Sequence, residues 1–460
     1  MSEMPRLAVV GHTNAGKTSL LRTLTRDAGF GEVSERPATT RHVEAVELMA
    51  DGEAVLQLFD TPGMEDALGL ADLFDELAGD GKPDGPELVE RFLASPQAQG
   101  RFEQEAKVLR QMRASDAGLY VIDARDPVLA KFREELAILA RCARPLLPVL
   151  NFVATPGHRE LEWREMLARL GLHAVVAFDS VAPAIDGERR LFTALGTLIE
   201  AHRQTLTRLT ESRAAEALAR FEAGRRMIAE LLVDVAALRI TLTDEALARA
   251  TLDQLRAQVR ARERSLVLSL LELYGFDRDQ GPDEALPELA GRWDDDLFSA
   301  EALRDAGLRV GTGAAAGAAA GMGIDLVTGG LTLGAAAALG AIAGGLWQTV
   351  SHYGERLGGK LRGFRQLTVD DAIVRLLALR GQRLLEALER RGHAAIERVR
   401  LPPADESSWR EGSLPAALAE ARIHPGWSAI GSRFEPDAER SAAIAELSDA
   451  VHVARPTTME

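Results

Sequence analysis

A short segment near the start of the chain constrains the fold more strongly than any other part of the sequence. Residues 11–18 read Gly-His-Thr-Asn-Ala-Gly-Lys-Thr and match the pattern GxxxxGK[ST]. The apolar residues 7–10 before it predict a buried strand, and residues 18–24 after it predict a helix. A strand, a glycine-rich loop and a helix in this order are typical of a phosphate-binding α/β fold.

The loop carries the groups that hold the phosphates of a nucleotide. Gly11 and Gly16 allow backbone N–H groups to turn toward a phosphate, and Lys17 supplies a positive charge. The Thr18 hydroxyl is predicted to bind Mg²⁺. The residues predicted to contact the nucleotide are Gly11, His12, Thr13, Asn14, Ala15, Gly16, Lys17, Thr18 and Ser19.

A second motif, Asp60-Thr61-Pro62-Gly63, follows a strand-like run at residues 54–59. Asp60 comes at the end of this strand, where its carboxylate is predicted to hold Mg²⁺. The Gly63 N–H is predicted to sense a γ-phosphate. Between the two motifs, Thr39 and Thr40 lie in a predicted switch loop, and Thr40 is predicted to complete the Mg²⁺ shell when a triphosphate is bound.

With these motifs, residues 5–205 resemble the TrmE–Era–EngA-like branch of translation-factor-class GTPases, whose pattern runs GxxNxGKS, PGTTRD and DTxG. The resemblance implies a mostly parallel α/β sheet flanked by helices, and hydrolysis of GTP to GDP and phosphate with Mg²⁺. It places Lys17 and Gly63 in the catalytic machinery. The switch loop departs from the pattern, because Ala38 replaces a glycine and His42 replaces an acidic residue.

Two further positions bear on catalysis. Met64 stands where Ras-like enzymes keep a glutamine, and a thioether cannot orient a water. In the TrmE-like group an acidic residue three positions after the motif glycine does this work, so the resemblance implies this role for Asp66. Asn14 matches the asparagine by which the same group coordinates K⁺. Asn14 either binds K⁺, which would stimulate hydrolysis, or only hydrogen-bonds the loop.

The guanine-reading motif is incomplete. A motif of the form NKxD is expected after the fifth strand, and the sequence there is Asn151-Phe152-Val153-Ala154, which keeps the asparagine and loses the aspartate. A site without that carboxylate discriminates less well between bases. Residues 173–180 predict the last strand, followed by a base-binding loop at Ser180. Asp179 or backbone groups are the alternatives for replacing the lost aspartate, and base specificity rests on the resemblance.

An acidic segment at about residues 64–113 interrupts the GTPase domain, which we predict over residues 1–205. Residues 70–77 and 86–93 predict two short helices within it. Because the segment follows the switch motif, it either reports the nucleotide state to a partner or is a solvated decoration.

Beyond residue 205 the sequence predicts an all-α domain. Long helices are predicted at residues 206–236, 243–275 and 369–400, with a helical region at 206–302 and a helical region with a C-terminal tail at 353–460. The leucine stripe in 243–275 is typical of a helical bundle core. A homodimer seam is the minority alternative.

Residues 303–352 contain the second distinctive feature, a glycine-rich apolar stretch. Positions 310–347 are mostly Ala and Gly, Asp325 is the only charged residue there, and Gly313, Gly317 and Gly321 recur every fourth residue. This spacing predicts a glycine-zipper hairpin of two helices with a turn at 327–330. The uncharged run 326–347 would rise about 33 Å as a helix, close to the thickness of a bilayer core.

Basic residues flank this stretch on both sides, namely Arg304, Arg309, Arg356, Lys360, Arg362 and Arg365. The pattern favours a hairpin near anionic head groups, peripheral or inserted at the cytoplasmic face of the inner membrane, with a membrane or membrane-protein partner. The alternative is a hairpin buried inside the helical domain.

Charge and cysteine content agree with a cytoplasmic protein. A net charge of −15 argues against nucleic-acid binding, and one cysteine allows no intrachain disulfide. The whole-chain arrangement resembles a family of bacterial GTPases with a C-terminal domain of unknown function. We therefore expect a GTP-hydrolysing switch that controls a membrane-associating helical domain. The alternatives are a nucleotide-binding regulatory or scaffold protein with little hydrolysis, and a ribosome or RNA assembly GTPase.

Overall fold

The computed structural model describes residues 4–26, 43–79, 83–181, 183–184, 186–242, 248–276, 297–299, 302–303, 306, 308, 324–328, 331–332, 365–390, 409 and 413–451. Thr39 and Thr40 of the predicted switch loop lie outside this part of the chain. The described residues form two compact units that divide after Leu218.

The first unit is built on a six-stranded sheet with the spatial order β2-β3-β1-β4-β5-β6. Strand β2 pairs antiparallel with β3, and the other neighbours pair in parallel. The bounds of the strands are β1 Arg6–Gly11, β2 Glu44–Ala50, β3 Glu53–Asp60, β4 Ala117–Asp123, β5 Leu146–Asn151 and β6 Val176–Ala177. This order confirms the mostly parallel sheet that the resemblance implies.

Helices cover both faces of this sheet, because its strands are apolar on both sides. They are α1 Lys17–Thr25, α2 Ala67–Ala78, α3 Gly85–Ala94, α4 Glu103–Arg113, α5 Ala130–Ala140, α6 Glu160–Arg169 and α7 Gly187–Leu198. Parallel strands end at one edge of the sheet, so the loops after β1, β3, β5 and β6 gather there and form the site described below.

The acidic segment forms α2, α3 and α4, so the two short helices predicted within it are confirmed. Asp84 caps α3, since its side chain accepts a hydrogen bond from the Glu87 N–H at 2.8 Å. Phe74, Phe92 and Phe102 pack edge to face, with neighbouring ring centroids 5.6 and 6.3 Å apart. The segment therefore has an apolar interior of its own, which is continuous with the core of the sheet.

The second unit has a helical core. Its helices are the later part of α8 Arg203–Ala237, then α9 Ala248–Leu273, α10 Asp371–Arg390, α11 Ala416–Ile423 and α12 Ala438–Ala450. Helix α8 also serves the first unit, where Leu206 and Leu209 are buried beside the sheet. Trp409 and Trp427 are buried in the helical core, as expected for the residues that dock the tail.

The second unit also contains a four-stranded antiparallel sheet that the sequence did not predict. Its strands are β7 Arg239–Leu242, β8 Ile324–Thr328, β9 Leu331–Thr332 and β10 Arg365–Val369, in the order β7-β10-β8-β9. Strands β8 and β9 lie inside the stretch predicted as a helical hairpin, so the helix prediction is wrong for those residues. Of the turn predicted at residues 327–330, Val327 and Thr328 belong to β8, and residues 329–330 lie outside the described residues.

The rest of the glycine-rich stretch, with the predicted glycine zipper, lies outside the described residues. Within the part that the structure describes, we find no helix both long and apolar enough to cross a membrane.

Candidate functional site

The phosphate-binding loop connects β1 to α1 through backbone conformations that its sequence permits. Gly11, Asn14 and Gly16 have φ angles of 145°, 64° and 88°. The positive φ of Gly16 stands immediately before the first turn of α1. A side chain at Gly16 is also excluded sterically, because its Cβ would lie 2.3 Å from Asn151 Nδ2. The backbone of the loop therefore lies at the N-terminus of α1, where free N–H groups and the helix dipole favour binding of an anion.

Lys17 and Asp60 form the charged centre of the site. Lys17 Nζ donates hydrogen bonds to the carbonyl oxygens of Gly11 and His12, at 3.2 and 2.8 Å. Burial lowers the pKa of the Lys17 amine, and the nearby carboxylates of Asp60 and Glu135 oppose this shift. The amine is thus buried inside the loop, where the phosphates of a nucleotide would be.

Asp60 and Thr18 have the groups that Mg²⁺ requires. Thr18 Oγ1 donates a hydrogen bond to Asp60 Oδ2 at 2.6 Å. Burial raises the pKa of Asp60, while the Thr18 hydrogen bond and Lys17 hold it down. Asp60 Oδ1 is buried and has no hydrogen-bond partner. A hydroxyl beside a carboxylate with an unsatisfied buried oxygen fits a hard cation, so Thr18 and Asp60 would hold Mg²⁺.

Gly63 lies directly against the phosphate-binding loop. A Cβ on Gly63 would be 2.4 Å from Thr13 Oγ1 and 2.7 Å from the Thr13 nitrogen, so only glycine fits here. The next residue, Met64, is fully buried, and its N–H donates to the Gly11 carbonyl at 3.3 Å. Met64 therefore packs into the core, and its thioether has no group that could orient a water.

Asp66 begins helix α2. Its Oδ1 accepts a hydrogen bond from the Gly69 N–H at 2.9 Å, and its Oδ2 pairs with Arg101 at 2.5 Å. The Arg101 hydrogen bond lowers the pKa of Asp66, so this carboxylate is ionised at neutral pH. The structure therefore places Asp66 near Gly63 as a helix cap and ion-pair partner. Its role in orienting water stays a prediction.

The side chain of Glu105 in α4 is hydrogen-bonded to the loop that follows Gly63. Its Oε1 accepts hydrogen bonds from the N–H groups of Glu65 and Asp66, both at 3.0 Å. Glu105 is 2% exposed, so these bonds form away from solvent. The loop after Gly63 is thus attached to the last helix of the acidic segment.

The base end of the site is organised by Asn151. Asn151 Nδ2 donates to the Ala15 carbonyl at 3.2 Å, and its Oδ1 accepts from the N–H groups of Phe152 and Ser180 at 2.9 Å each. The predicted base-binding residues Asn151 and Ser180 are therefore brought together beside the phosphate-binding loop. The Ser180 hydroxyl is buried without a hydrogen-bond partner.

Asp179 lies beside the position of the lost aspartate. Its two carboxylate oxygens accept hydrogen bonds from the N–H groups of Ala154 and Val181, at 2.8 and 2.9 Å. Asp179 is 4% exposed and joins the loops after β5 and β6. Both oxygens therefore bond backbone groups of these two loops, and a role of Asp179 in replacing the lost aspartate stays a prediction.

His12 connects the phosphate-binding loop to helix α5. Its Nδ1 lies 2.7 Å from Glu135 Oε1, and its Nε2 lies 2.8 Å from Lys131 Nζ. Glu135 is fully buried and also accepts a hydrogen bond from the Tyr120 hydroxyl at 2.7 Å. Because an ammonium group can only donate, Nε2 accepts from Lys131 and Nδ1 donates to Glu135. The His12 side chain therefore links the phosphate-binding loop to α5, and its contact with the nucleotide stays a prediction.

Sequence reasoning missed Glu105 and Glu135, although a signal was present. Glu105 shares a helix face with the buried residues Leu109 and Met112, and Glu135 shares one with Phe132 and Leu139. A carboxylate in register with an apolar stripe must find partners when it is buried. A carboxylate at such a position is a better candidate for a residue that holds loops together than the exposed acidic residues around it.

Comparisons with known proteins agree with this geometry. A family described as 50S ribosome-binding GTPase matches residues 6–152. A family described as a domain of unknown function, DUF3482, matches residues 164–449. The N-terminal part of the chain is therefore a P-loop GTPase domain that binds GTP, and a DUF3482 domain follows it.

Two curated relatives carry the name probable GTP-binding protein EngB. That of Methanopyrus kandleri is 40% identical over 90 residues, which cover 20% of this chain and 39% of the relative. That of Acidovorax ebreus is 36% identical over 61 residues, which cover 13% and 28%. The chain thus spans well under half the length of these relatives.

Among solved structures, a variant of Aquifex aeolicus Era bound to GDP and tetrafluoroaluminate aligns with a TM-score of 0.30 and 20% identity. The alignment covers 42% of this chain and 56% of that one.

Proposed function

The chain belongs to the DUF3482 family, and since a GTPase domain precedes this domain, we propose that the protein is a GTP-hydrolysing switch that controls its C-terminal domain. The observation that carries the proposal is the cluster of Lys17, Thr18 and Asp60 beneath a loop whose Gly63 lies against Thr13. Lys17 would neutralise phosphate charge, and bound Mg²⁺ would offset the charge that develops during hydrolysis.

Phosphate release from GTP by the purified full chain tests this proposal, with ATP as the competing substrate. We expect turnover of GTP in Mg²⁺ buffer and its loss in Lys17→Ala. Arg22→Ala, in the same helix, is the matched control, and it should leave turnover within about twofold of the original. Turnover that persists in Lys17→Ala would assign the activity to a contaminant and refute the proposal.

A second candidate function is a nucleotide-binding regulator with little hydrolysis of its own. The burial of Met64 favours it, because this loop then offers no side chain at that position to orient a water. Tight binding of GDP and of a non-hydrolysable GTP analogue, together with negligible phosphate release in every buffer, would support this candidate over the first.

Potassium activation extends the proposal at Asn14. The residue is exposed at the tip of the phosphate-binding loop with a φ of 64°, so its amide is accessible to an ion near the phosphates. Hydrolysis should be faster in KCl than in NaCl at equal ionic strength, and Asn14→Ala should remove the difference. Equal rates of the original protein in both salts would exclude a K⁺ site.

A membrane contact is the most distant part of the proposal, and its support is the apolar glycine-rich sequence with basic residues on both sides. The full chain should float with anionic vesicles and not with neutral ones. Deletion of residues 333–347 should abolish flotation, while GTP turnover reports that the first unit is intact. Flotation that persists after this deletion would show that the contact lies elsewhere.

A further inference from the structure

We infer that Glu105 is a positioning residue for GTP hydrolysis, whose buried carboxylate makes helix α4 and the acidic segment respond to the γ-phosphate. This inference rests on the proposed function. It assigns the acidic segment the role of the element that reads the nucleotide state, and it gives one side chain as the connection.

The first step is the contact between Glu105 and the loop. One oxygen of Glu105 accepts hydrogen bonds from two successive backbone N–H groups, those of Glu65 and Asp66. Two charge-assisted bonds to one buried oxygen are strong, and separating them would leave an unpaired carboxylate at 2% exposure. The loop and the helix should therefore move as one body.

The second step is the contact between the loop and the nucleotide site. Gly63, two residues before Glu65, is pressed against the Thr13 backbone, and the Met64 N–H bonds the Gly11 carbonyl at 3.3 Å. Thr13 Oγ1 is buried there without a hydrogen-bond partner. A γ-phosphate that binds in the loop and contacts the Gly63 N–H requires these two backbone segments to adjust around it. A bound diphosphate has no γ-phosphate, so the two segments can keep the contact described here.

The third step is the connection from α4 to the rest of the acidic segment. Phe102, just before α4, packs against Phe92 of α3, and Phe92 packs against Phe74 of α2. All three rings are fully buried or nearly so. Close-packed interiors transmit small displacements because they have no free volume to absorb them.

Arg101 adds a second contact that the same movement would alter. Its guanidinium pairs with Asp66 and lies 4.7 Å from the Phe102 ring centroid. The Arg101 side chain is 66% exposed, so this ion pair contributes little stability and is easily exchanged. Glu105 thus forms the stable connection between α4 and the loop after Gly63. The exposed ion pair of Arg101 with Asp66 can form or separate when the nucleotide changes.

Hydrogen exchange of the full chain tests the response directly, with GDP and then a non-hydrolysable GTP analogue bound. We expect amides of Ala67–Ala78 and Glu103–Arg113 to exchange at different rates in the two states. In Glu105→Ala the difference should persist near Gly63 and disappear in Glu103–Arg113. Equal exchange of both helices in the two states of the original protein would overturn the inference, whether or not the protein hydrolyses GTP.

Kinetics distinguish positioning from a general loss of structure. Glu105→Ala should lower kcat by about tenfold or more, with the KM for GTP and the affinity for GDP within about threefold. Glu105→Gln keeps an acceptor oxygen and should recover part of kcat. Glu103→Ala removes a carboxylate from the same helix, where it pairs with Lys107, and should leave kcat unchanged.

A folded Glu105→Ala protein with the original kcat would refute the positioning role. If that variant does not fold, the kcat of Glu105→Gln and the exchange of the original protein still decide the question. Failure of the proposed function has a different signature, namely that the original protein and Lys17→Ala release phosphate equally slowly.

Discussion

At the scale of single residues, buried charges hold the loops of the nucleotide site. The sequence motifs predicted Lys17 and Asp60, because the spacing GxxxxGK[ST] and an acid at a strand end specify them directly. The apolar stripes indicated that Glu105 and Glu135 are buried, but their partners lie far away in the chain, so the contacts they make could not be predicted. For Asp66 the resemblance predicted a role in catalysis, but it did not reveal that this side chain caps helix α2.

Replacing Glu135 should destabilise the first unit. In Glu135→Ala the Tyr120 hydroxyl and the His12 ring lose a buried acceptor, and we expect a loss of about 2–4 kcal/mol in the free energy of unfolding. Urea denaturation measures the change. Glu134→Ala, at the neighbouring and less buried position, is the control and should cost under about 1 kcal/mol. A loss of equal size in both variants would contradict the assigned hydrogen bonds.

Gly63 should tolerate no side chain. In Gly63→Ala the Cβ would overlap the Thr13 backbone, so the loop must move and kcat/KM for GTP should fall by about a hundredfold. Gly100→Ala is the matched control, because the nearest atom to its Cβ would be 3.7 Å away. Unchanged hydrolysis by Gly63→Ala would show that the loop is not held as described.

Cys142 should be unreactive in the folded protein. Burial raises the pKa of its thiol to about 12, so below that pH the folded protein holds the protonated, poorly nucleophilic form. At pH 8 a disulfide reagent should modify the native chain at a small fraction of the rate seen in denaturant. Because Cys142 is the one cysteine of the chain, the labelling rate reports opening of the first unit alone. Rapid labelling of native protein would contradict its burial.

At the scale of elements, helices were predicted well and the small sheet was not. Apolar periodicity predicted α8 and α9, and helix start and stop signals predicted α2 and α3. Strands β7 to β10 are short, and β10 pairs with β7 and β8 across long stretches of chain, so no local pattern identifies this sheet. Ala and Gly in the surrounding sequence favoured a helix hairpin, and pairing with β10 outweighed that local preference in β8.

Asp234 of α8 should be the most sensitive polar residue of the second unit. It is 1% exposed and accepts hydrogen bonds from Arg262 of α9, Arg440 of α12 and the Ala429 N–H, at 2.8, 2.9 and 3.1 Å. Asp234→Ala removes the acceptor for two arginines and should cost about 3–5 kcal/mol in the free energy of unfolding.

Thermal denaturation followed by circular dichroism measures this loss. Glu230→Ala is the control on the same helix, because Glu230 pairs with Arg226 near the surface. Equal shifts of both variants would mean that Asp234 does not organise the helices.

At the scale of the whole molecule, we expect the two compact units, which have separate cores, to unfold in separate transitions that respond differently to a bound nucleotide. Calorimetry of the full chain should show two transitions, and GDP with Mg²⁺ should raise only the one that contains the nucleotide site. At a GDP concentration of 100 times Kd the stabilisation should be about 2.7 kcal/mol. The transition that Asp234→Ala lowers should be the other one. A single transition that GDP moves as a whole would contradict independent unfolding.

Helix α8 runs without a break from Arg203 to Ala237, across the division between the units. Its early turns place Leu206 and Leu209 in the core of the first unit. A GTPase fragment cut at residue 205, where composition alone suggests a boundary, would lack both leucines, each worth about 1.5–3 kcal/mol when buried. Truncation studies of this protein should therefore keep the helix through Leu218, or a failure to express will be mistaken for a loss of function.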